Sequence, residues 1–269
     1  MKAVILAFAV AAGLATNAEP TAGGTNEASS AKNSLTATVA VDVLSDALWR
    51  GMIWNDNPVW QPSVTLACKA GELGTFSANL WWSFDLTHRR GTLTHSRRAG
   101  GLQELDYTVS YAGTLGPVGV EVGHIWYTFP YGNGPTDHDL YATATFENEI
   151  ATPSASVYWN YSDSSGNDVS SVYFAFGLSR DFAVTKELTL TPRATLGFGD
   201  HAYTNSKGGA ELTDQTLGVS ACYAIMENLS VGAQLNYTWI PSHTLRKEGY
   251  MGEGKDQLLW GGVNVTLNF

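Results

Sequence analysis

An acid and a guanidinium stand four residues apart in the stretch SDALWRGMIWNDNPVWQPS, Ser45 to Ser63, as Asp46 and Arg50 among three tryptophans and two prolines. Such a pair can hold a polar solute or close on itself as an ion pair. A second charged feature, THRRGTLTHSRRAGG, gathers His88, Arg89, Arg90, His95, Arg97 and Arg98. Clustered arginines hold phosphate through charge-assisted hydrogen bonds, so Arg89, Arg90, Arg97 and Arg98 are candidates for contact with an anionic solute or with lipopolysaccharide phosphates, a solvated loop being the plain alternative. Hydrolase chemistry would need a serine within reach of a histidine that a third polar group orients. His124 stands beside Trp126 with no serine in prospect. Cys68 and Cys222 lie in no metal-binding or redox spacing, and SDSSGND after Tyr161 reads as a turn rather than a calcium loop. The sequence implies no catalytic residue, metal or cofactor.

The elements that carry these residues repeat with a period of two. In LTATVAVDVLSDALW, Leu35, Ala37, Val39, Val41, Val43, Ala47 and Trp49 alternate with Thr36, Thr38, Asp42, Asp46 and Arg50, and LSVGAQLNYTW and the C-terminal VNVTLNF repeat the pattern. Alternation of this kind marks strands with one apolar and one polar face. It predicts about twelve strands, near 34–50, 58–70, 74–85, 102–113, 117–129, 138–150, 153–163, 169–182, 187–199, 212–226, 229–240 and 257–269. The connections fall into two classes in turn: short after even strands (GELG, TLGP, MEN) and mostly longer after odd ones. An even strand count with short turns at one end and long loops at the other is the pattern of an outer-membrane barrel. Apolar-face aromatics agree, with Trp49, Trp60, Tyr107, Trp126, Trp159 and Trp239 falling near the long loops and Phe76, Tyr111, Phe182, Tyr223 and Phe269 near the short turns. The fold expected is therefore all-β, a transmembrane antiparallel up-and-down β-barrel of about 12 strands.

Composition fits. Charged residues make up 15% of the 269-residue chain, against ~25% in soluble domains. A net charge of −10 speaks against a nucleic-acid partner, which leaves a basic footprint. MKAVILAFAVAAGLATNA reads as a secretory signal peptide over residues 1–18, too short to span a bilayer as a helix. Residues 19–33 read as a flexible periplasmic leader and 34–269 as the barrel. So short a leader leaves no room for an autotransporter passenger. The location expected is the outer membrane of a Gram-negative bacterium.

Two short motifs resemble known families. DVLSDALWRGMIWNDNPVWQPSV resembles the first hairpin of the TorF-like porin family of Gram-negative outer-membrane barrels: Ser45, Asp46, Trp49, Arg50, Gly51, Pro58 and Gln61 match, and Ala47 departs where that family carries an aromatic. The resemblance covers about twenty residues and implies a barrel and a pore without naming a solute. The terminal Phe269 resembles the C-terminal signature of bacterial outer-membrane proteins, which implies recognition by the barrel-insertion machinery.

With the apolar positions facing lipid, the opposite face lines the lumen. The candidates for pore lining or constriction are Asp42, Asp46, Arg50, Glu104, Asp106, Glu121, Glu147 and Arg193. Across the whole lumenal face acids outnumber bases, a surplus that demands water or a network through Arg50 and Arg193. Gly119, Gly123, Gly177, Gly197, Gly218, Gly232 and Gly262 on this face leave space, while Trp81, Tyr127, Tyr141, Tyr158, Tyr173 and Trp260 take it back. The function expected is a narrow porin-like channel for passive passage of small polar or cationic solutes. The alternatives are a structural or adhesive barrel without an open pore and, with less support, a lipid-modifying enzyme.

Overall fold

The computed structural model describes residues 34–89, 98–130, 137–162, 170–204, 209–247 and 255–269. The expected signal peptide and leader, Arg90, Arg97 and residues 163–168 of the turn after Tyr161 lie outside these.

Twelve strands form the wall: β1 (Ser34–Leu44), β4 (Val59–Lys69), β5 (Thr75–Asp85), β6 (Leu102–Leu115), β7 (Val118–Thr128), β8 (Asp137–Phe146), β9 (Thr152–Ser162), β10 (Ser171–Ser179), β12 (Leu188–Gly199), β13 (Glu211–Met226), β14 (Leu229–Trp239) and β15 (Gln257–Asn268). Each pairs antiparallel with its neighbours, β1 joins β15, and β10 joins β12, so the sheet closes into a barrel. A fragment, β11 (Phe182–Ala183), continues the line of β10 along β12. Two short strands, β2 (Ala47–Trp49) and β3 (Met52–Asn55), pair only with each other. Short helices α1 (His201–Thr204) and α2 (His243–Lys247) lie in two of the long loops.

Alternation sets which face meets lipid. Along β14, Leu235 and Trp239 are 54% and 42% exposed, whereas Asn236 and Thr238 between them are 1% exposed. The 11 residues of β14 measure ~36 Å at a rise of ~3.3 Å per residue, and a tilt of ~40° makes that a span of ~28 Å, close to the ~25 Å apolar band of such barrels. Tyr107, Trp159, Tyr161 and Trp239 are exposed at the long-loop end, and Phe76, Tyr111, Phe182, Tyr223 and Phe269 at the other, forming two aromatic girdles. Closure removes the free edges that lipid would leave unpaired. Pro62, which cannot donate to a ladder, lies in β4 where pairing to β5 lapses between Trp60 and Ser63. Val263, midway along β15 and 57% exposed, should meet hydrocarbon. Val263→Arg is expected to destabilise the barrel in phospholipid vesicles by about 2–4 kcal/mol, read from urea unfolding, while Thr238→Ser on the opposite face should change little.

The first strand ends sooner than its alternation predicts. The Ser45 amide still donates to Gly261 of β15 at 2.8 Å, and beyond it the chain leaves the wall. Ala47, Leu48, Arg50, Met52, Ile53 and Asn55 are all buried, so the β2–β3 hairpin turns into the barrel rather than rising above it. Twelve strands enclose a lumen wider than the ~8-strand barrel that wall side chains fill by themselves, and the hairpin supplies the missing filling. The eighth wall strand likewise breaks early, at Ser179, and the sixth at Phe146.

Candidate functional site

The inturned hairpin lies against two sides of the lumen. On one side Leu48 and Ile53 pack with Ile240, Leu245 and Trp260, and Leu44, Ala47 and Val59 form a second apolar cluster. The return arm is pinned by polar bonds: Asn55 donates to Asp85, Gln103 donates to the other Asp85 oxygen at 2.6 Å, and the Asn57 amide donates to Asn55 Oδ1 at 3.0 Å. On the other side is the hairpin tip. Trp49 pairs with Met52, leaving Arg50 and Gly51 as a two-residue loop with φ of 45° and 81°. Positive φ at both positions is the type I′ geometry that suits a twisted hairpin, with Asn-Gly its commonest sequence. Gly51 is needed twice over, since a Cβ there would also stand 2.9 Å from Asp214 Oδ1.

Arg50 is 2% exposed and reaches across to the strands β7 to β10. Its Nη1 donates to Asp139 Oδ2 at 2.5 Å and its Nη2 to Tyr127 Oη at 3.2 Å. The guanidinium carbon lies 3.6 Å from the centre of the Tyr158 ring, 4.5 Å from Trp49 and 5.6 Å from Tyr173. Cation–π contacts of this kind are worth ~0.5–2 kcal/mol, most where water is excluded. The wall is fixed by bonds of its own: Asn160 donates to Asp139 Oδ1 at 3.1 Å, Tyr127 donates to Asp139 Oδ2 at 3.0 Å, and Tyr173 donates to Asp214 Oδ1 at 3.1 Å. From α1, Tyr203 donates to the Arg50 carbonyl at 2.9 Å, holding the strained residue from behind.

The lumen around this clamp is acidic. Asp42, Asp85, Glu104, Asp106, Asp139 and Asp214 are buried there with Arg50 as the one buried base among the described residues. Asp42 Oδ1 and Asp106 Oδ1 have no hydrogen-bond partner among the described residues. Arg193 is separate from Arg50 and donates to Gln234 Oε1 at 2.5 Å and Asn236 Oδ1 at 2.8 Å. Toward the short-turn end the lining is polar: Tyr141 donates to Glu121, and Thr143 and Ser156 share a bond of 2.8 Å.

Several sequence expectations need revision against this geometry. Asp46 and Arg50 do not share a strand face, because the chain bends between them. Asp46 is half-buried in that bend, where burial raises its carboxyl above the ordinary range against the lowering effects of Ser45 and Lys255. Trp49 is no girdle residue, since its ring packs on Tyr127 and Tyr203 inside the barrel. Glu147 sits in the exposed turn after β8 and not on the lumenal wall. Among the described residues no hydrogen-bond network joins the two arginines. Five of the lumenal glycines do not open space either: Tyr141 covers Gly123, Tyr173 and Asp214 cover Gly197, Asn236 covers Gly218, Asn264 covers Gly232, and Leu44 covers Gly262. Asp42, Glu104 and Asp106 do lie buried in the lumen, Glu121 lies deeper, and Arg89 and Arg98 are exposed beside the loop after β5. Asp214 went unremarked in the sequence, although its parity with Thr216 and Gly218 on β13 marks it as lumenal.

On the lipid-facing wall His124 Nε2 lies 2.5 Å from Tyr161 Oη, and its ring packs on Trp126 and His138. That is an interfacial aromatic cluster rather than a serine–histidine pair.

A closed antiparallel barrel with an apolar belt, two aromatic girdles and a polar lumen defines the class: this is a transmembrane β-barrel of the outer-membrane type. The chain belongs to a bacterial family of unknown function, Gcw_chp, whose family model matches residues 27–252. No curated protein sequence matches it. Among solved structures, the COG4313 outer membrane channel from Pseudomonas putida F1 is 10% identical with a TM-score of 0.52, over 90% of this chain and 97% of that one. The KdgM porin is 9% identical with a TM-score of 0.47, over 87% of this chain and 99% of that one. Outer membrane phospholipase A from Escherichia coli is 13% identical with a TM-score of 0.45, over 86% of this chain and 92% of that one. At these identities the likeness is one of fold.

Proposed function

We propose that the protein is a narrow channel in the outer membrane of a Gram-negative bacterium, passing small polar or cationic solutes passively, with the β2–β3 hairpin as its constriction. The observation that carries this reading is the acidic lining of the lumen: six buried carboxyl groups against one buried guanidinium among the described residues. A barrel that only needed filling would do better with apolar side chains, because burying unpaired carboxylates is costly. Asp42 and Asp106, each with an unpartnered oxygen, are better accounted for by a hydrated path that mobile cations share. The resemblance of the first hairpin to TorF-like porins supports a pore as well. No catalytic role is proposed, given the surroundings of His124. The exposed Arg89 and Arg98 suit contact with lipopolysaccharide phosphates, and Phe269 suits recognition during insertion.

In planar bilayers the purified protein is expected to give small, discrete conductance steps with a reversal potential of the cation-selective sign. A silent bilayer after verified insertion sinks the channel reading and leaves the structural barrel. Glu104→Gln with Asp106→Asn removes two of the lumenal acids and should move the reversal potential toward zero by at least half; an unchanged potential would take the selectivity away from this pair.

A further inference from the structure

The contacts of Arg50 have the composition of a cation receptor: a carboxylate at the edge of the guanidinium, a phenol beside it, and aromatic rings on its faces. We propose that the wall formed by Asp139, Tyr127, Tyr158 and Tyr173 is a receptor for the guanidinium group of a permeating solute, and that Arg50 is its resident internal occupant. A guanidinium-bearing solute takes the receptor by displacing Arg50, and the hairpin that carries Arg50 withdraws from the lumen. The inference deepens the channel reading and rests on it for the solute's access.

Three observations converge. First, the receptor is oriented by groups that do not depend on Arg50: Asn160 holds Asp139, and Asp214 holds Tyr173. The wall therefore keeps its shape when the occupant leaves. Second, Arg50 is the described non-glycine residue with positive φ, a conformation uncommon for a long side chain. A turn selected only to plug the lumen would carry Asn or Gly at this position. The arginine is accounted for by what its guanidinium meets. Third, the tip is tethered to the wall through both arms of the hairpin, at Ser45 and Asn55, so it can leave without unpairing any wall strand. A tethered occupant competes like a ligand at ~millimolar concentration, which sets the range in which an outside solute displaces it.

The test uses Arg50→Asn, which suits the turn and empties the receptor, in the full chain folded in micelles and verified by heat-modifiable gel mobility. Methylguanidinium chloride is titrated while tryptophan fluorescence is followed, with methylurea and sodium chloride as controls at matched ionic strength. The expected result is saturable binding of methylguanidinium at least tenfold tighter in the variant than in the wild type. Adding Asp139→Asn should weaken it at least tenfold, and methylurea should not bind. Equal affinity in wild type and variant, equal binding of methylurea, or indifference to Asp139→Asn overturns the proposal. If Arg50→Asn does not fold, Arg50→Gly is measured in the same way, and failure of both to fold also overturns it, since Arg50 would then be structural. Binding in micelles does not depend on conduction, so its failure leaves the channel reading standing, while a silent bilayer with binding intact leaves the guanidinium site and removes its permeating solute.

Discussion

Replacing residues 45–58 with an Asn-Gly turn is expected to raise single-channel conductance several-fold while leaving the barrel folded. Leu44 and Val59 are directly paired across β1 and β4, so two residues close the hairpin in the geometry that a twisted antiparallel pair prefers. Within the wall strands β1 keeps β15 and β4 as neighbours, and the native backbone bonds given up at the rim are those of Ser45 to Gly261 and of Leu86 to Pro58. What is lost is the filling: the buried side chains of Leu48, Arg50, Met52 and Ile53 leave the outer half of a lumen that twelve strands make too wide for wall side chains alone. Removing Arg50 also removes the buried base that faces the acids, so the cation preference should rise together with the conductance. Liposome swelling should then admit sugars that the wild type excludes. Unchanged conductance in a folded variant would place the constriction elsewhere, the Tyr141, Tyr158 and Tyr173 cluster being the next narrowing to test.

The wall was legible in the sequence because lipid imposes one demand on every strand. An outward position must be apolar over some ten residues, and the polar lumen repeats the opposite demand, so alternation places β5, β9 and β14 within a residue or so of their ends. The hairpin was not legible for a related reason. Ala47 and Trp49 continue the parity of Val39, Val41 and Val43, and an apolar residue packed inside the lumen has the same composition as one facing lipid. The signals of departure are small: a Ser-Asp bend at residues 45–46, then Arg-Gly where a wall strand would run on. Register was the other missing quantity. Gly123 and Gly218 read as space only until the strands are aligned, when Tyr141 and Asn236 prove to lie over them. Asp139 was readable as a lumenal acid, but its pairing with Arg50, 89 residues away, depends on a loop turning inward, and strand alternation says nothing about loops.

Asp139→Ala is expected to be the most damaging single substitution in the lumen. Arg50 and Asp139 are 3% and 0% exposed at their side chains and 2.5 Å apart. Removing one partner of a buried pair costs about 3–5 kcal/mol, because the remaining charge stays out of water without its counterion. Here that charge would be the guanidinium, left with the Tyr127 hydroxyl and the aromatic rings, and those compensate only in part. The molecule has an escape that a soluble core lacks. The hairpin can leave the lumen and return Arg50 to water, so the loss is capped by what the hairpin's own packing contributes through Leu48 and Ile53. The two routes give different results. If the hairpin stays, urea unfolding in micelles shifts by the full amount and conductance is unchanged. If it leaves, the shift is smaller, conductance rises toward that of the hairpin deletion, and protease cuts near Arg50. Arg50→Ala in the same background separates the pair from its surroundings: the double variant should be more stable than Asp139→Ala alone, since no charge is then stranded, and a coupling energy below about 0.5 kcal/mol would mean that the pair does not hold the hairpin.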